Sequence, residues 1–250
     1  MKHFYFIYLL LLLLALLVVT SCDSGDVHEV YRFKSTGRTA LLTGSVDEWE
    51  ELPEGYNIAL AAFGSTSDYA LGQRILSASD VEGGRLRVEL SQLSDTVHTV
   101  ELCVTNTLRK KTLSLQRLEL ASLPAQDTVR LESALRALTS VSCLQKGFFD
   151  EACIRCHGGG NQSARGLNLT EGHSMAMLVN VPAASHPELL RVSGGRPEES
   201  LLHQILAESG QDVLHINHVE ILHKLGVDTD VLRTFIDEWI KSLPPKDSNS

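Results

Sequence analysis

The chain has 250 residues, 43% of them hydrophobic, enough to bury one or two cores and to exclude a disordered polypeptide. Its 31 acidic residues outnumber 22 basic ones, a formal charge of −9. That balance excludes nucleic acid as the main partner, because phosphate binding rests on Lys and Arg.

Lys2 opens a charged leader, and residues 4–19 form an almost unbroken apolar run of signal-peptide type. The run ends at Val19-Thr20-Ser21-Cys22. This ending resembles the lipobox of bacterial lipoproteins. The resemblance implies cleavage before Cys22 and diacylation of its thiol, so residues 1–21 are read as a signal peptide and Cys22 as the lipidation site. An ordinary cleaved signal or an uncleaved anchor is the alternative, since the run is close to the ~17-residue lower limit for spanning a bilayer. The mature chain carries 21 basic and 31 acidic residues, a charge of −10. Residues 22–38 are polar and aperiodic and read as a tether. The expected location is the cell envelope, with the chain held to a membrane by lipid. Asp23 and Asp26 behind the lipid site resemble a retention signal in some bacteria and a surface-export signal in others, so inner or outer membrane stays open.

From 39 to 135 the apolar residues alternate: Ile58, Leu60 and Ala62; Leu86, Val88 and Leu90; Val100, Leu102 and Val104. Period two predicts half-buried strands, and Pro53-Glu54-Gly55, Gly83-Gly84 and Thr105-Asn106 supply turns between them. A β-sandwich-like domain is expected. Cys103 falls on the face of its strand opposite Val100, Leu102 and Val104, which makes it an uncertain member of the core. Pairing of Cys103 with Cys143 is open, because connectivity depends on distance.

Between Ala134 and Ser140 the period changes. Leu135, Leu138, Leu144 and Phe148 recur at helical spacing. Gly158-Gly159-Gly160 forms a loop, Pro197-Glu198-Glu199 starts a helix, and 228–243 carries a strong apolar stripe stopped by Pro244-Pro245. The expected fold is therefore α+β multidomain: an N-terminal all-β sandwich-like domain, then an all-α domain over 136–244, with a tail from 245 to 250.

The chemistry centres on Cys153-Ile154-Arg155-Cys156-His157, a Cys-x-x-Cys-His box of the kind that attaches c-type haem. Two thiols three residues apart can form thioethers to the two vinyl groups of one haem, and the adjacent His157 then reaches the iron. A zinc site is one alternative, although zinc usually takes four ligands and the sequence offers no familiar partner pair. A redox dithiol is another, but it calls for a βαβ setting that the flanking pattern lacks.

Residues 140–243 resemble the Planctomycete-type cytochrome c domain of exported bacterial proteins. The resemblance rests on Cys153 to Gly158, then Gly166-Leu167-Asn168-Leu169, then Gly195 to Leu202, then Phe235-Ile236-Asp237-Glu238-Trp239-Ile240. It implies an all-α cytochrome c-like haem domain with one haem c per chain. Cys153 and Cys156 would be its attachment sites and His157 its proximal iron ligand. The chain departs from the family on the distal side, where members usually carry a Met-Pro pair and this sequence reads Val213-Leu214-His215-Ile216-Asn217-His218. His218 or His215 is the distal candidate, Met175 and Met177 are rivals, and an open position is the remaining possibility.

The functional expectation is an exported, lipid-anchored c-type cytochrome that carries electrons at the cell envelope and meets a redox partner protein. A non-enzymatic electron carrier is the expectation, with enzyme activity left open. Two alternatives stand beside it: a surface glycan- or protein-binding lipoprotein with an accessory haem, and a haem sensor or peroxidase with an open distal site.

Overall fold

Among the described residues the chain forms ten strands. In the computed structural model the described residues are Tyr5, 35–121, 128–207 and 216–246. The leader, Cys22, most of the tether, His215 and the last residues of the tail lie outside them. The chain divides into two units, Met1–Phe33 and Lys34–Ser250. Among the described residues no helix is long and apolar enough to cross a membrane.

The strands are β1 (Ser35–Ser45), β2 (Glu48–Trp49), β3 (Tyr56–Phe63), β4 (Gly72–Ile75), β5 (Val81–Glu82), β6 (Arg85–Ser94), β7 (Thr99–Asn106), β8 (Lys111–Glu119), β9 (Thr128–Ser133) and β10 (Ala137–Leu138). They build one four-stranded sheet in the order β5-β6-β1-β9, another in the order β4-β3-β7-β8, and a two-stranded ladder of β10 with β2. Strand β1 runs antiparallel to β6 and parallel to β9. Leu42, Leu86, Val88 and Leu131 of the first sheet share one buried cluster with Ile58, Leu60, Val100 and Leu102 of the second.

Strand β7 is buried on both faces. Its second face pairs Thr99, Glu101 and Cys103 with Phe63, Ala61 and Ala59 of β3. Ala70 closes over this face, so Cys103 is fully buried in a small satellite cluster. The single-sided alternation expected of a half-buried strand fails here because β7 is central and its outer face is covered.

The all-α second domain is not what the chain forms. The second half has α1 (Ser140–Leu144), a π-helical segment (Gln145–Cys153), α2 (Ile154–His157), α3 (Ser174–Leu178), α4 (Leu201–Ile205), α5 (His218–Lys224) and α6 (Thr229–Ser242). Isolated extended bridges lie among them, Val179 with Val192, Pro182 with Leu190 and Leu190 with Ser200. The described structure is therefore mostly sheet with few short helices. Pro182, Pro187 and Pro197, together with Gly166, Gly172, Gly194 and Gly195, interrupt the segments before they extend, since Pro lacks a helical donor and Gly costs entropy there. Leu135 and Leu138 also depart from the helical reading. Leu138 pairs beside Trp49 in the β10-β2 ladder, and the Thr139 side chain caps α1 by accepting from the Ser142 amide at 3.1 Å.

The two halves share one core. Phe148, Phe149, Phe235 and Trp239 belong to the same buried cluster as Leu102, Leu113 and Leu115. Gly147 lies directly on β8: a Cβ added there would stand 2.9 Å from Leu113 Cβ and 3.2 Å from the Ser114 carbonyl oxygen. Tyr56 meets Phe235 edge to face, with ring centroids 4.9 Å apart. Helix α6 buries Leu232, Phe235, Ile236, Trp239 and Ile240, each worth roughly 1.5–3 kcal/mol of apolar burial for side chains of this size.

Asp228 fastens the start of α6 twice. Its carboxylate accepts from the Val231 amide at 3.1 Å and from Lys110 Nζ, at the β7-β8 turn, at 2.7 Å. The Lys110 hydrogen bond, foremost, holds its pKa below the ordinary Asp value. A depressed folded-state pKa stabilises above the unfolded value and is lost as pH falls through the folded one. Asp228→Ala is expected to cost about 1 kcal/mol at pH 7, most of it the lost cap. In urea titrations the deficit should stay constant above pH ~4 and shrink below it. A deficit that grows on acidification would contradict this.

Candidate functional site

The box is delivered by a helix that changes its winding. In the π-helical segment the bonds reach one residue further than in an α-helix, and the Ile154 amide donates to the Phe149 carbonyl. Phe148 and Phe149 are buried on it and anchor it to the core. Gln145 ties it to residues beyond the box. The Gln145 Nε2 donates to Asp150 Oδ1 at 2.7 Å and to the Leu169 carbonyl at 3.0 Å, and its Oε1 accepts from Ser174 Oγ at 2.6 Å. One buried amide thus spans the helix before the box and the chain after it.

Cys153 and Cys156 both carry free thiols. Cys153 packs against the core, and burial pushes its pKa up to about 12. Cys156 is exposed. The two stand one helical turn apart, on the same side of the chain.

His157 is half-buried at the end of α2. Its Nδ1 donates to the Ala164 carbonyl at 3.2 Å. A carbonyl can only accept, so Nδ1 is the donor in this bond, and the ring has a second backbone hydrogen bond at Leu167. Burial, foremost, lowers the imidazole pKa; the charges of His218 and Arg191 lower it too, while hydrogen bonds to backbone at Ala164 and Leu167 oppose the shift. The neutral ring is the form that binds a metal. The loop is closed behind it: the Leu169 amide donates to the His157 carbonyl at 2.7 Å, and Ser163 Oγ donates to the Gly158 carbonyl at 2.5 Å. Gly160 takes a φ of +64° in this turn, a backbone conformation that glycine adopts without strain.

His218 begins α5, behind the Asn217 cap. It is half-buried, and its Nδ1 donates to the Ile216 carbonyl at 3.3 Å, so in the neutral ring Nε2 keeps its lone pair. Burial lowers its pKa as well. The chain therefore brings two neutral imidazoles, far apart in sequence, into each other's electrostatic reach. Met177 is less suited to iron: Arg191 Nη1 donates to its carbonyl at 2.7 Å and stands 3.9 Å from its sulfur. Met175 packs against the core.

Arg191 completes the group. It is half-buried, burial lowers its pKa, and it makes no ion pair among the described residues. Nothing in the spacing of the sequence singles it out, because it stands alone in an aperiodic segment. The other described histidines near the helices have partners of their own. His203 Nδ1 meets Asp237 Oδ1 at 2.7 Å, and His223 Nε2 meets Thr229 Oγ1 at 3.0 Å.

Among the described residues no group of three or more His, Cys, Asp or Glu is disposed to hold a metal ion. A haem iron needs no such group, since the porphyrin supplies four nitrogens and the protein only the axial ligands. The residues present fit that cofactor: two free thiols at the required spacing, two imidazoles each oriented by a hydrogen bond from Nδ1 to a backbone carbonyl, and a guanidinium without an ion pair among the described residues, suited to the propionate carboxylates. Cys103 and Cys143 are separate free thiols, both fully buried, with burial raising both pKa values.

Comparisons with family models, with curated proteins and with solved structures found no match.

The contrast between the two thiols is directly measurable. The thiolate is the reactive form, and at pH 8 a thiol of pKa near 12 is ionised in only about one molecule in ten thousand. In the haem-free protein, iodoacetamide should label Cys156 at least ~100-fold faster than Cys153 by peptide mass spectrometry. Equal rates would show that Cys153 is not held in the core.

Proposed function

We propose that the chain is an exported, lipid-anchored c-type cytochrome that holds one covalent haem and carries electrons at the cell envelope to or from a partner protein. The observation that carries this reading is the hydrogen bond from His157 Nδ1 to the Ala164 carbonyl, which orients the imidazole immediately after two free thiols. A ligating histidine usually fixes its second nitrogen in this way. Cys153 and Cys156 would each add across one vinyl group, sulfur to one carbon and the thiol hydrogen to the other. When bound, the haem supplies a one-electron Fe(III)/Fe(II) couple. The residues around it would hold it, exclude water and tune its potential.

His218 is the proposed distal ligand. His215 lies outside the described residues, Met177 is engaged by Arg191, and Met175 faces the core. Two imidazoles favour a lower potential than a His-Met pair and leave no vacancy for substrate, which supports an electron carrier over a sensor or peroxidase. The scaffold is short helices and bridges on the edge of a sheet structure. The motif resemblance therefore bears on the haem segment and not on an all-α domain. The Ser21-Cys22 junction supports attachment to a membrane through lipid on Cys22.

Produced in a host competent for cytochrome maturation, the protein should give a pyridine haemochrome of the two-thioether type with one haem per chain. It should also keep haem stain through denaturing electrophoresis. Cys156→Ala should weaken retention, and Cys153→Ala with Cys156→Ala should abolish it. A stain-negative wild type would remove the reading.

The distal assignment has its own test. Carbon monoxide should leave the spectrum of the reduced wild type unchanged, whereas His218→Ala should bind it. Immediate binding by the wild type would favour the sensor or peroxidase reading.

A further inference from the structure

The outer face of the β4-β3-β7-β8 sheet holds a second polar site. At the end of this sheet a cleft of about 230 Å³ opens between the strands and the 64–68 segment that leaves β3. One wall carries the hydroxyls of Ser65, Thr66 and Ser67 with the Asp68 carboxylate. Lys111 and Arg117 form the other wall, and Thr99 and Glu101 lie on the floor.

Glu101 is fully buried in the middle of β7. Its Oε1 accepts from Lys111 Nζ at 3.1 Å and from Thr99 Oγ1 at 3.4 Å, and its Oε2 accepts from Ser114 Oγ at 2.6 Å. Lys111 also pairs with Asp68 at 3.3 Å, and Arg117 stands 3.9 Å from Glu101. Buried ion pairs are poor devices for stability, because desolvation offsets the attraction and apolar residues of similar volume do as well. Stability therefore gives no reason for a charged network on a face otherwise built from Ala59, Ala61, Ala70 and Cys103. Its position at the floor of an open cleft gives one.

The lining restricts what can enter. With both oxygens of Glu101 taken, the floor is not a receptor for cations. Lys111 pairs with Asp68 and Glu101, and Arg117 Nε donates to Glu119 Oε1 at 2.7 Å, so each cation already has a carboxylate and no charge is left over to recruit an ion. Hydroxyl, ammonium, guanidinium and carboxylate groups arranged together suit a ligand whose own groups both donate and accept, which is the property of a sugar hydroxyl. The volume equals that of roughly eight waters at ~30 Å³ each, room for one sugar ring. Phe63 offers no stacking platform, because Lys111 Nζ sits over its ring at 4.7 Å, so binding rests on hydrogen bonds and is weak.

We infer that this cleft binds one neutral sugar ring, such as the terminal unit of a glycan, through the Ser65–Asp68 wall and the Lys111 and Arg117 side chains. The inference does not depend on haem. It gives the sheet half a recognition role of its own, through which the chain would be positioned on a carbohydrate surface.

Saturation-transfer difference NMR on the full mature chain tests it. The probes are glucose, galactose, mannose and N-acetylglucosamine, each at about 5 mM to match a millimolar Kd. Glycine serves as a zwitterionic control and galacturonate as an acidic one. At least one neutral sugar should receive saturation, and Thr66→Trp, which fills the cleft, should reduce the transfer at least about tenfold. Arg117→Ala replaces a half-exposed side chain that no core packing depends on, and it should weaken transfer severalfold even where Thr66→Trp folds poorly. Transfer to none of the four sugars, transfer confined to glycine or galacturonate, or transfer unchanged in Arg117→Ala would each overturn the inference.

Discussion

The contact on which the second half of the molecule depends is the close approach of the Gly147 backbone to β8. Without a side chain at that point, the π-helical segment settles onto Leu113 and Leu115, and Phe148 and Phe149 enter the core beside them. The Cys153–His157 box sits only a few residues further along. Its position is therefore inherited from the sheet by direct packing, and the later elements are arranged against the same core. Tyr56 on Phe235 and Lys110 on Asp228 fix the last helix to the strands in turn.

Polar side chains do the rest of the positioning by spanning segments that have little regular structure. Gln145 joins three stretches of chain through one amide, and backbone carbonyls at Ala164 and Ile216 orient the two imidazoles. Short helices separated by turns provide no long rigid axis, so side chain to backbone bonds carry the alignment that a helix bundle would otherwise give. Fixing each Nδ1 on a carbonyl sets the ring orientation of both imidazoles.

Much of this was legible in the sequence where a local rule operates. The Cys-x-x-Cys-His box is a spacing and can be read directly. Helix α6 shows a full apolar stripe, and its Asp228 cap and Pro244 stop fall at its ends. Strands β3, β6 and β7 follow from alternation. The features that could not be read depend on long-range packing. The parallel pairing of β1 with β9 links segments far apart in the chain, and nothing local encodes it. The burial of Cys103 depends on Ala70 closing over a second face. The all-α expectation treated Leu135 and Leu138 as helical because their spacing permits it, whereas the ladder with β2 claims Leu138. Arg191 stands out only when its surroundings show a cation with no ion pair among the described residues.

The π-helical winding before the box carries a consequence for how the segment tolerates change in length. One extra residue in the helical turn sets the rotation at which Cys153 stays against the core and Cys156 emerges from it. Deleting a residue there would restore ordinary α-helical bonding and turn everything downstream by about 100°. The thiols would then face a different direction with Phe148 and Phe149 still in place. The segment thus acts as an angular register between a fixed aromatic anchor and a reactive edge, and its length is as much a part of the site as the cysteines themselves.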